Sequence, residues 1–123
     1  MNNMNTQMET KVQMDQVSDG NSGQITVLRL SGDMSSNSRE ALMGSYESAG
    51  KNQPVLLDFS KTDYINSSGI ALVIQVMMEA AKSGQKVAAF GLTPHFEKVF
   101  TMVGITKYAK LYKDQAAAVA SFN

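Results

Sequence analysis

Hydrophobic and polar residues follow two periods along the chain and predict strands that alternate with helices. Polar and apolar residues alternate over Lys11–Val17, which predicts a half-buried strand. The nearly continuous apolar run Pro54–Phe59 predicts a strand covered on both faces. Further strands are predicted at 25–30, 86–90 and 108–112. Helical spacing of apolar residues predicts helices ending at Gly50, Gly84 and Gly104, and a terminal helix over Gln115–Phe122.

Short polar segments set the expected boundaries of the first elements. Ser18–Gly23 is a cluster of turn-forming residues that joins the first two strands as a hairpin. Ser31–Asp33 is expected to end the second strand. Asn37 has Glu40 three residues further on, which is the spacing of a capping box and predicts the start of the first helix.

The second helix is the most apolar one. Asn66–Gly69 is the turn that opens it, after a brief extended stretch at Tyr64–Ile65. The positions expected to share one face are Ile70, Val73, Ile74, Met77 and Ala81. Much of the remaining surface is apolar too, so this helix should be largely buried or partly covered by a partner. Met77 is expected in the core and Met78 on a surface that faces a partner.

The order of elements predicts the fold class. A hairpin followed by strands alternating with helices predicts a single α/β domain with a mixed, mainly parallel sheet. About four helices pack on that sheet. Parallel sheets place function at the carboxyl ends of their strands, so loops 66–69 and 91–94 are the candidate functional loops.

Composition removes several classes of chemistry. The 123 residues contain no cysteine and one histidine, which excludes disulfides, a cysteine nucleophile, and thiolate or His-only metal sites. The formal net charge of zero argues against a nucleic-acid binder, which needs surplus positive charge. Neither the dinucleotide fingerprint nor the P-loop pattern occurs. We therefore expect no cofactor, no metal and a small domain that works by contacting other proteins.

The first residues carry no targeting signal of a known kind. Segment 1–7 is polar, unlike a signal or transit peptide, and no run reaches the roughly 18 apolar residues of a membrane span. We expect a flexible tail over 1–7, a folded domain over 8–123, no membrane partner and a cytoplasmic location.

Charge is divided unevenly along the chain. Residues 1–79 carry five basic and nine acidic side chains, whereas residues 80–123 carry six lysines against Glu97 and Asp114. The balances are therefore −4 and +4. Two readings stay open: two ends of different potential that steer a partner, or two solvated faces that cancel.

Two neighbouring segments carry a family resemblance. Val55–Ser60 (VLLDFS), followed by Tyr64–Ile70 (YINSSGI), resembles the core motif of STAS domains, and most closely that of bacterial anti-sigma factor antagonists. The strand Val87–Phe90 and the helix end Met102–Ile105 (MVGI) are similar to the later half of that family. The resemblance covers Glu9–Asn123, nearly the whole chain.

The resemblance implies a phosphorylation switch. The hydroxyl residue directly before the glycine is the acceptor, here Ser68, with Ser67 as the second choice. An anti-sigma factor that is also a serine kinase adds the phosphate, and a PP2C-type phosphatase removes it. The unphosphorylated form binds the anti-sigma factor and frees sigma. We expect a monomer or weak dimer without enzymatic activity. Asp58 corresponds to a position near the phosphosite.

Local physical chemistry points the same way. Ser68 lies at a helix start, where unpaired N–H groups and the positive dipole end favour an anion. Gly69 would let the backbone approach a kinase closely. Asn66 replaces the acidic residue of the family; it caps a helix equally well but lacks the charge, part of which Asp33 could supply. Ile70 completes the expected partner interface.

Simpler readings stand beside these. The two serines could be helix caps, Ser67 in particular, and Asp58 could be a turn residue at the rim of the sheet. His95 is expected at the surface. A nucleophilic Ser68 lacks the Gly-x-Ser-x-Gly elbow. The alternative function is a phosphorylation-independent structural STAS subunit of a signalling scaffold or a lipid-transport complex.

Overall fold

The structure, a computed structural model, describes residues 9–122. The predicted tail at 1–7 lies outside the described residues, as do Met8 and Asn123. The strands are β1 (Lys11–Ser18), β2 (Gln24–Met34), β3 (Val55–Ile65), β4 (Val87–Phe90) and β5 (Lys110–Tyr112). The helices are α1 (Arg39–Ala49), α2 (Ser67–Lys82), α3 (Pro94–Met102) and α4 (Gln115–Ala120), with short 3-10 helices at Ser36–Ser38 and Ile105–Lys107.

The strands form one mixed sheet in the order β1-β2-β3-β4-β5. β1 and β2 are an antiparallel hairpin, and β2, β3, β4 and β5 run parallel to one another. The predicted fold class is therefore confirmed. Because the parallel strands end at one edge of the sheet, the loops that follow β2, β3 and β4 meet at that edge.

The two faces of the sheet carry separate cores. On one face, α1, α2 and α3 cover a large core that includes Leu28, Leu57 and Phe100. On the other face, the short helix α4 covers a small core that includes Val27 and Leu56. Successive strand residues alternate between the two cores, which is why the central strands consist of nearly continuous apolar runs.

Both central strands are longer than predicted. Ser31–Asp33 does not end β2, which continues to Met34, and Tyr64–Ile65 is the last part of β3 rather than a separate stretch. Gly32 has a φ of 87°, and the pairing between the strands shifts register beside it. The turn-like sequence therefore marks an irregularity within a strand, which glycine permits.

The start of the first helix also differs from the expectation. The capping box is formed by Ser35 and Ser38, not by Asn37 and Glu40. β2 reaches Met34, so Ser35 is the first residue free to take the extended cap conformation, while Asn37 already lies inside the 3-10 helix. Gly50 ends α1 with a φ of 78°, as expected for a C-terminal glycine.

The buried stripe of α2 is rotated from the predicted face. Gly69, Leu72, Val76 and Ala80 are buried, whereas Ala81 is exposed. Met77 is fully buried as predicted. The sheet beneath α2 and the neighbouring α1 decide this rotation, because an almost wholly apolar helix has no unique face of its own.

Other helix expectations were partly wrong at their ends. α3 ends at Met102, before the predicted end at Gly104, and Val103 follows the helix and is exposed. α4 ends at Ala120, two residues before the predicted Phe122, and Asp114 caps it through an N–H···O bond from Ala117. In residues 9–122 no helix has the length and apolar character needed to cross a membrane.

Candidate functional site

The candidate site lies where β2 and β3 end side by side. Met34 and Ile65, the last residues of the two strands, are register partners. The Asn66 N–H donates to the carbonyl oxygen of Met34 over 3.0 Å. α2 begins at the next residue, Ser67, so the sheet edge fixes the start of the helix directly.

Asn66 is the N-cap of α2. Its side-chain Oδ1 accepts a hydrogen bond from the Gly69 N–H at 2.9 Å, and its carbonyl accepts from the Ile70 N–H at 2.9 Å. The expected capping role of Asn66 is therefore confirmed, and the alternative reading of Ser67 as the cap is wrong. An asparagine oxygen performs this task as well as a carboxylate does, so the acidic residue of the family is not needed for the fold here.

The two serines are consequently not used as caps. Ser67 and Ser68 are the first and second residues of α2, and both are exposed. Within residues 9–122, neither hydroxyl makes a hydrogen bond to another group. The first N–H groups of a helix have no carbonyl partner within it, so both serines lie where an anion is favoured.

Gly69 is buried at the contact between α2 and β2. A Cβ atom on Gly69 would lie 2.7 Å from the carbonyl oxygen of Met34 and 2.8 Å from its carbonyl carbon. The Ile65 Cγ2 atom would be 3.0 Å away. The sequence suggested that Gly69 lets a kinase approach the backbone closely. In the structure it is the end of β2 that approaches Gly69, and this contact within the fold leaves no room for a Cβ atom.

Asp58 does not lie at the rim of the sheet. It is 6% exposed, it lies within β3, and its side chain points to the face opposite α2. Its carboxylate accepts from the Arg29 Nη1 at 3.0 Å and from the Ser60 N–H at 2.8 Å. Arg29 and Asp58 are register partners on adjacent strands, so Asp58 serves a structural ion pair rather than the surroundings of Ser68.

Arg29 links strands and helix on that opposite face. It also bonds Asp15 of β1 and, through Nη1, the Gln115 Oε1 of α4 at 3.0 Å. The hydrogen bond from Arg29 lowers the pKa of Asp15, and in return the bond to Asp15 raises the pKa of Arg29. These shifts stabilise the charged forms of both groups.

Asp33 and Ile70 border the site in different ways. Asp33 is the penultimate residue of β2, and its carbonyl accepts from the Thr10 hydroxyl at 2.6 Å. Because Met34 points into the core beneath α2, the alternation of strand residues turns the Asp33 side chain to the opposite face. Ile70 is half-buried and packs against the main core, so only part of it is open to a partner.

A groove beside Ser68 was not foreseen. Its volume is about 250 Å³, and its lining residues are Ser36, Arg39, Ser68, Ala71, Leu72 and Gln75. One wall is α2, and the other is the start of α1. Arg39 was missed because no local pattern links it to Ser68; the packing of α1 beside α2 brings the two residues together.

Aromatic side chains lie on the surface next to the start of α3. His95 is exposed, and its ring centroid is 5.0 Å from that of Phe96, which also meets Tyr64 at 5.8 Å. His95 is a surface residue, as predicted. Met78 is 41% exposed, on the outer side of α2. Among residues 9–122 no group of His, Cys, Asp and Glu side chains could hold a metal ion.

The division of charge along the sequence is partly retained in space. Lys86, Lys107 and Lys110 line one groove at the amino-terminal edge of β4 and β5. Ser68 lies at the carboxyl-terminal edge of the parallel strands. The lysine groove and the candidate site are therefore at opposite ends of the sheet.

Comparison with known proteins assigns the family. The chain matches the family model described as "Mlab, STAS domain" over residues 17–113, which is most of its length. The chain therefore belongs to the STAS domain family. A search of curated proteins found no significant match.

Solved structures with the same fold include several anti-sigma factor antagonists. The phosphorylated form of SpoIIAA from Bacillus has a TM-score of 0.67 and 20% identity, covering 91% of this chain and 99% of its own. An anti-sigma factor antagonist from Mycobacterium paratuberculosis has a TM-score of 0.74 and 16% identity, with coverages of 92% and 93%. Unphosphorylated SpoIIAA has a TM-score of 0.65 and 17% identity, with coverages of 90% and 96%.

Proposed function

We propose that this chain is an anti-sigma factor antagonist of the cytoplasm that is switched by phosphorylation of Ser68. Its unphosphorylated form binds an anti-sigma factor that is also a serine kinase, and sigma is thereby released. The phosphorylated form does not bind, and a PP2C-type phosphatase restores it. In this proposal the protein is a binding module, and catalysis belongs to its partners.

One observation carries the proposal. The side chain of Asn66, and not that of a serine, caps α2, so the Ser68 hydroxyl is exposed and free of hydrogen bonds within residues 9–122. A serine used as a cap would have to break that bond before it could attack ATP. Ser68 has no such bond to lose, and the family pattern places the acceptor at this position.

The same geometry supports a switch that acts on binding rather than on folding. A phosphate adds about −1.5 to −2 charges at neutral pH. At an exposed helix start the added charge meets the positive end of the helix dipole, so the fold tolerates it. A partner that covers Ser68 must remove the phosphate from water, which costs binding free energy. The likeness in fold to phosphorylated and unphosphorylated SpoIIAA is consistent with this switch.

Phosphorylation assays with single variants test the proposal. We expect an anti-sigma factor kinase from the same genome, supplied with ATP, to add one phosphate to the wild type and none to Ser68→Ala. Ser67→Ala is the matched control, because Ser67 is also exposed and lies one residue earlier, and this variant should still gain the phosphate. If the Ser68→Ala variant still gained a phosphate, another residue would be the acceptor and the assignment of Ser68 would be wrong.

A binding measurement tests the consequence. Ser68→Asp should weaken the affinity for that kinase while the circular dichroism spectrum stays unchanged. Undiminished affinity of Ser68→Asp would contradict the switch. Ser67→Asp adds the same charge beside the site and shows how strongly the effect depends on position.

The matched family model is described as "Mlab, STAS domain" and not as an anti-sigma factor antagonist, so membership of the family does not distinguish the switch from a second function. In that second function the chain is a structural STAS subunit of a signalling scaffold or a lipid-transport complex. In that case the chain would be recovered in a stable stoichiometric complex from cells, and Ser68→Asp would leave the complex intact. Loss of the complex on Ser68→Asp would favour the switch instead.

A further inference from the structure

We propose that the side chain of Arg39 forms an ion pair with the phosphate of phosphorylated Ser68 in the same chain. The guanidinium would then be the intramolecular counterion of the phosphoserine. This inference rests on the proposed function in one respect only, which is that Ser68 is the residue that carries the phosphate.

The groove beside Ser68 provides the geometry. Ser68, Leu72 and Gln75 lie at positions i, i+4 and i+7 of α2 and therefore share one face of the helix. Arg39 is the first residue of α1 and lines the same groove from its other wall, next to Ser36. Because Ser68 and Arg39 line the same groove, we infer that the long arginine side chain can meet a phosphate carried by the Ser68 oxygen.

In the described structure the guanidinium of Arg39 makes only one weak hydrogen bond. Its Nη2 donates to the Gln75 Oε1 at 3.1 Å, a bond to a neutral amide on an exposed surface. Among residues 9–122, Arg39 forms no ion pair with a carboxylate. The charge of Arg39 is therefore unneutralised, and the single bond to Gln75 can be exchanged for a better acceptor.

A phosphate is that better acceptor. Hydrogen bonds between ionised groups are roughly twice as strong as those between neutral groups, and a guanidinium can offer two parallel N–H donors to phosphate oxygens. Within residues 9–122, no acidic side chain lines this groove. The Asp33 side chain points to the other face of the sheet, and Glu79 lies near the far end of α2, where Lys51 is 3.9 Å from it.

The pairing would change the surface that a partner meets. With Arg39 drawn to the phosphate, the two walls of the groove would be joined above Ala71 and Leu72. Phosphorylation would then both add charge and close a partly apolar recess at the binding surface. The positive charge nearby would also keep the phosphate in its dianionic form at neutral pH.

Phosphoserine placed at position 68 during translation tests the inference without any kinase. We would titrate the phosphate by ³¹P NMR in the wild type, in Arg39→Gln and in Lys82→Gln. Lys82 is the last residue of α2, so Lys82→Gln removes the same charge at the opposite end of the helix. Free phosphoserine has a second pKa of about 6, and a facing arginine lowers it.

The expected result is specific to Arg39. Proton binding by the phosphate should strengthen by about threefold or more in Arg39→Gln and stay unchanged in Lys82→Gln. Phosphoserine at position 67, which does not line the groove, should not respond to Arg39→Gln. Equal titration of the wild type and Arg39→Gln at position 68 would overturn the pairing. A kinase that fails to modify Ser68 would instead contradict the proposed function and leave this result standing.

Discussion

The contact between α2 and the end of β2 predicts that Gly69→Ala destabilises the protein, although alanine normally favours helices. The new Cβ would lie 2.7 Å and 2.8 Å from two backbone atoms of Met34. Backbone atoms cannot swing aside as a flexible side chain does, so the helix start or the strand end must shift. Such overpacking costs about 1–3 kcal/mol. The helix preference for alanine offsets up to about 1 kcal/mol of this cost. We expect a net loss of up to about 2 kcal/mol in the free energy of unfolding.

Gly44→Ala is the matched control for this experiment. Gly44 lies inside α1, and a Cβ there would meet no atom within 4 Å. The same substitution should therefore stabilise the protein by about 1 kcal/mol. Urea denaturation followed by circular dichroism measures both changes, with an unchanged slope against denaturant. A Gly69→Ala variant at least as stable as the wild type would show that the close contact with Met34 does not constrain α2.

Further substitutions test other contacts, each by denaturant unfolding. Asn66→Ala should cost about 1 kcal/mol through loss of the cap, and Asn66→Asp should cost little; equal losses would exclude the cap as the cause. The pKa of Asp15 is lower in the folded protein than its ordinary value of about 4, so the ionised carboxylate stabilises the fold at any pH above about 4. This stabilisation is lost as the pH falls through the pKa that Asp15 has in the folded protein. Asp15→Asn should therefore destabilise the protein at pH 7, and its deficit should shrink as the pH falls below about 4. A deficit that stays the same at low pH would show that the ion pair with Arg29 is not its cause. Tyr46→Phe removes the hydroxyl that donates to the Gln85 Oε1 at 2.7 Å, at a cost of about 1 kcal/mol. Gln85→Ala should cost more stability than Tyr46→Phe, because it also removes the hydrogen bonds that the Gln85 amide donates to two loop carbonyls. A larger loss for Tyr46→Phe would refute this network.

The order and type of the elements could be predicted because each follows from a local pattern. The apolar run 55–59 and the alternation of Lys11–Val17 identify strands without knowledge of their neighbours. The extent of β2 could not be predicted, since Ser31–Asp33 forms a turn in isolation and a strand only when β3 pairs beside it. The buried face of α2 was also undetermined, because apolar residues surround that helix.

Within the candidate site too, the features set by a local motif could be predicted and those set by tertiary packing could not. The position of Ser68 at the start of a helix follows from the sequence Asn66–Gly69, and in the structure Ser68 is the second residue of α2. Asp58 was assigned to the site by analogy, but it points to the other sheet face and pairs with Arg29. One signal was available in the sequence: single charged residues of opposite sign interrupt two apolar strands that pair in parallel. That pattern indicates a cross-strand ion pair.

The charge around Ser68 follows from two separate residues. The cap at position 66 is neutral here, whereas the family pattern has an acid that would repel a phosphate two residues away. Arg39 adds a positive charge on the other wall of the groove. The neutral cap and the nearby guanidinium act in the same direction, because both favour a negative charge on Ser68. Asn66→Asp therefore retains the cap and restores the repulsion, and it separates the electrostatic role of position 66 from its structural one.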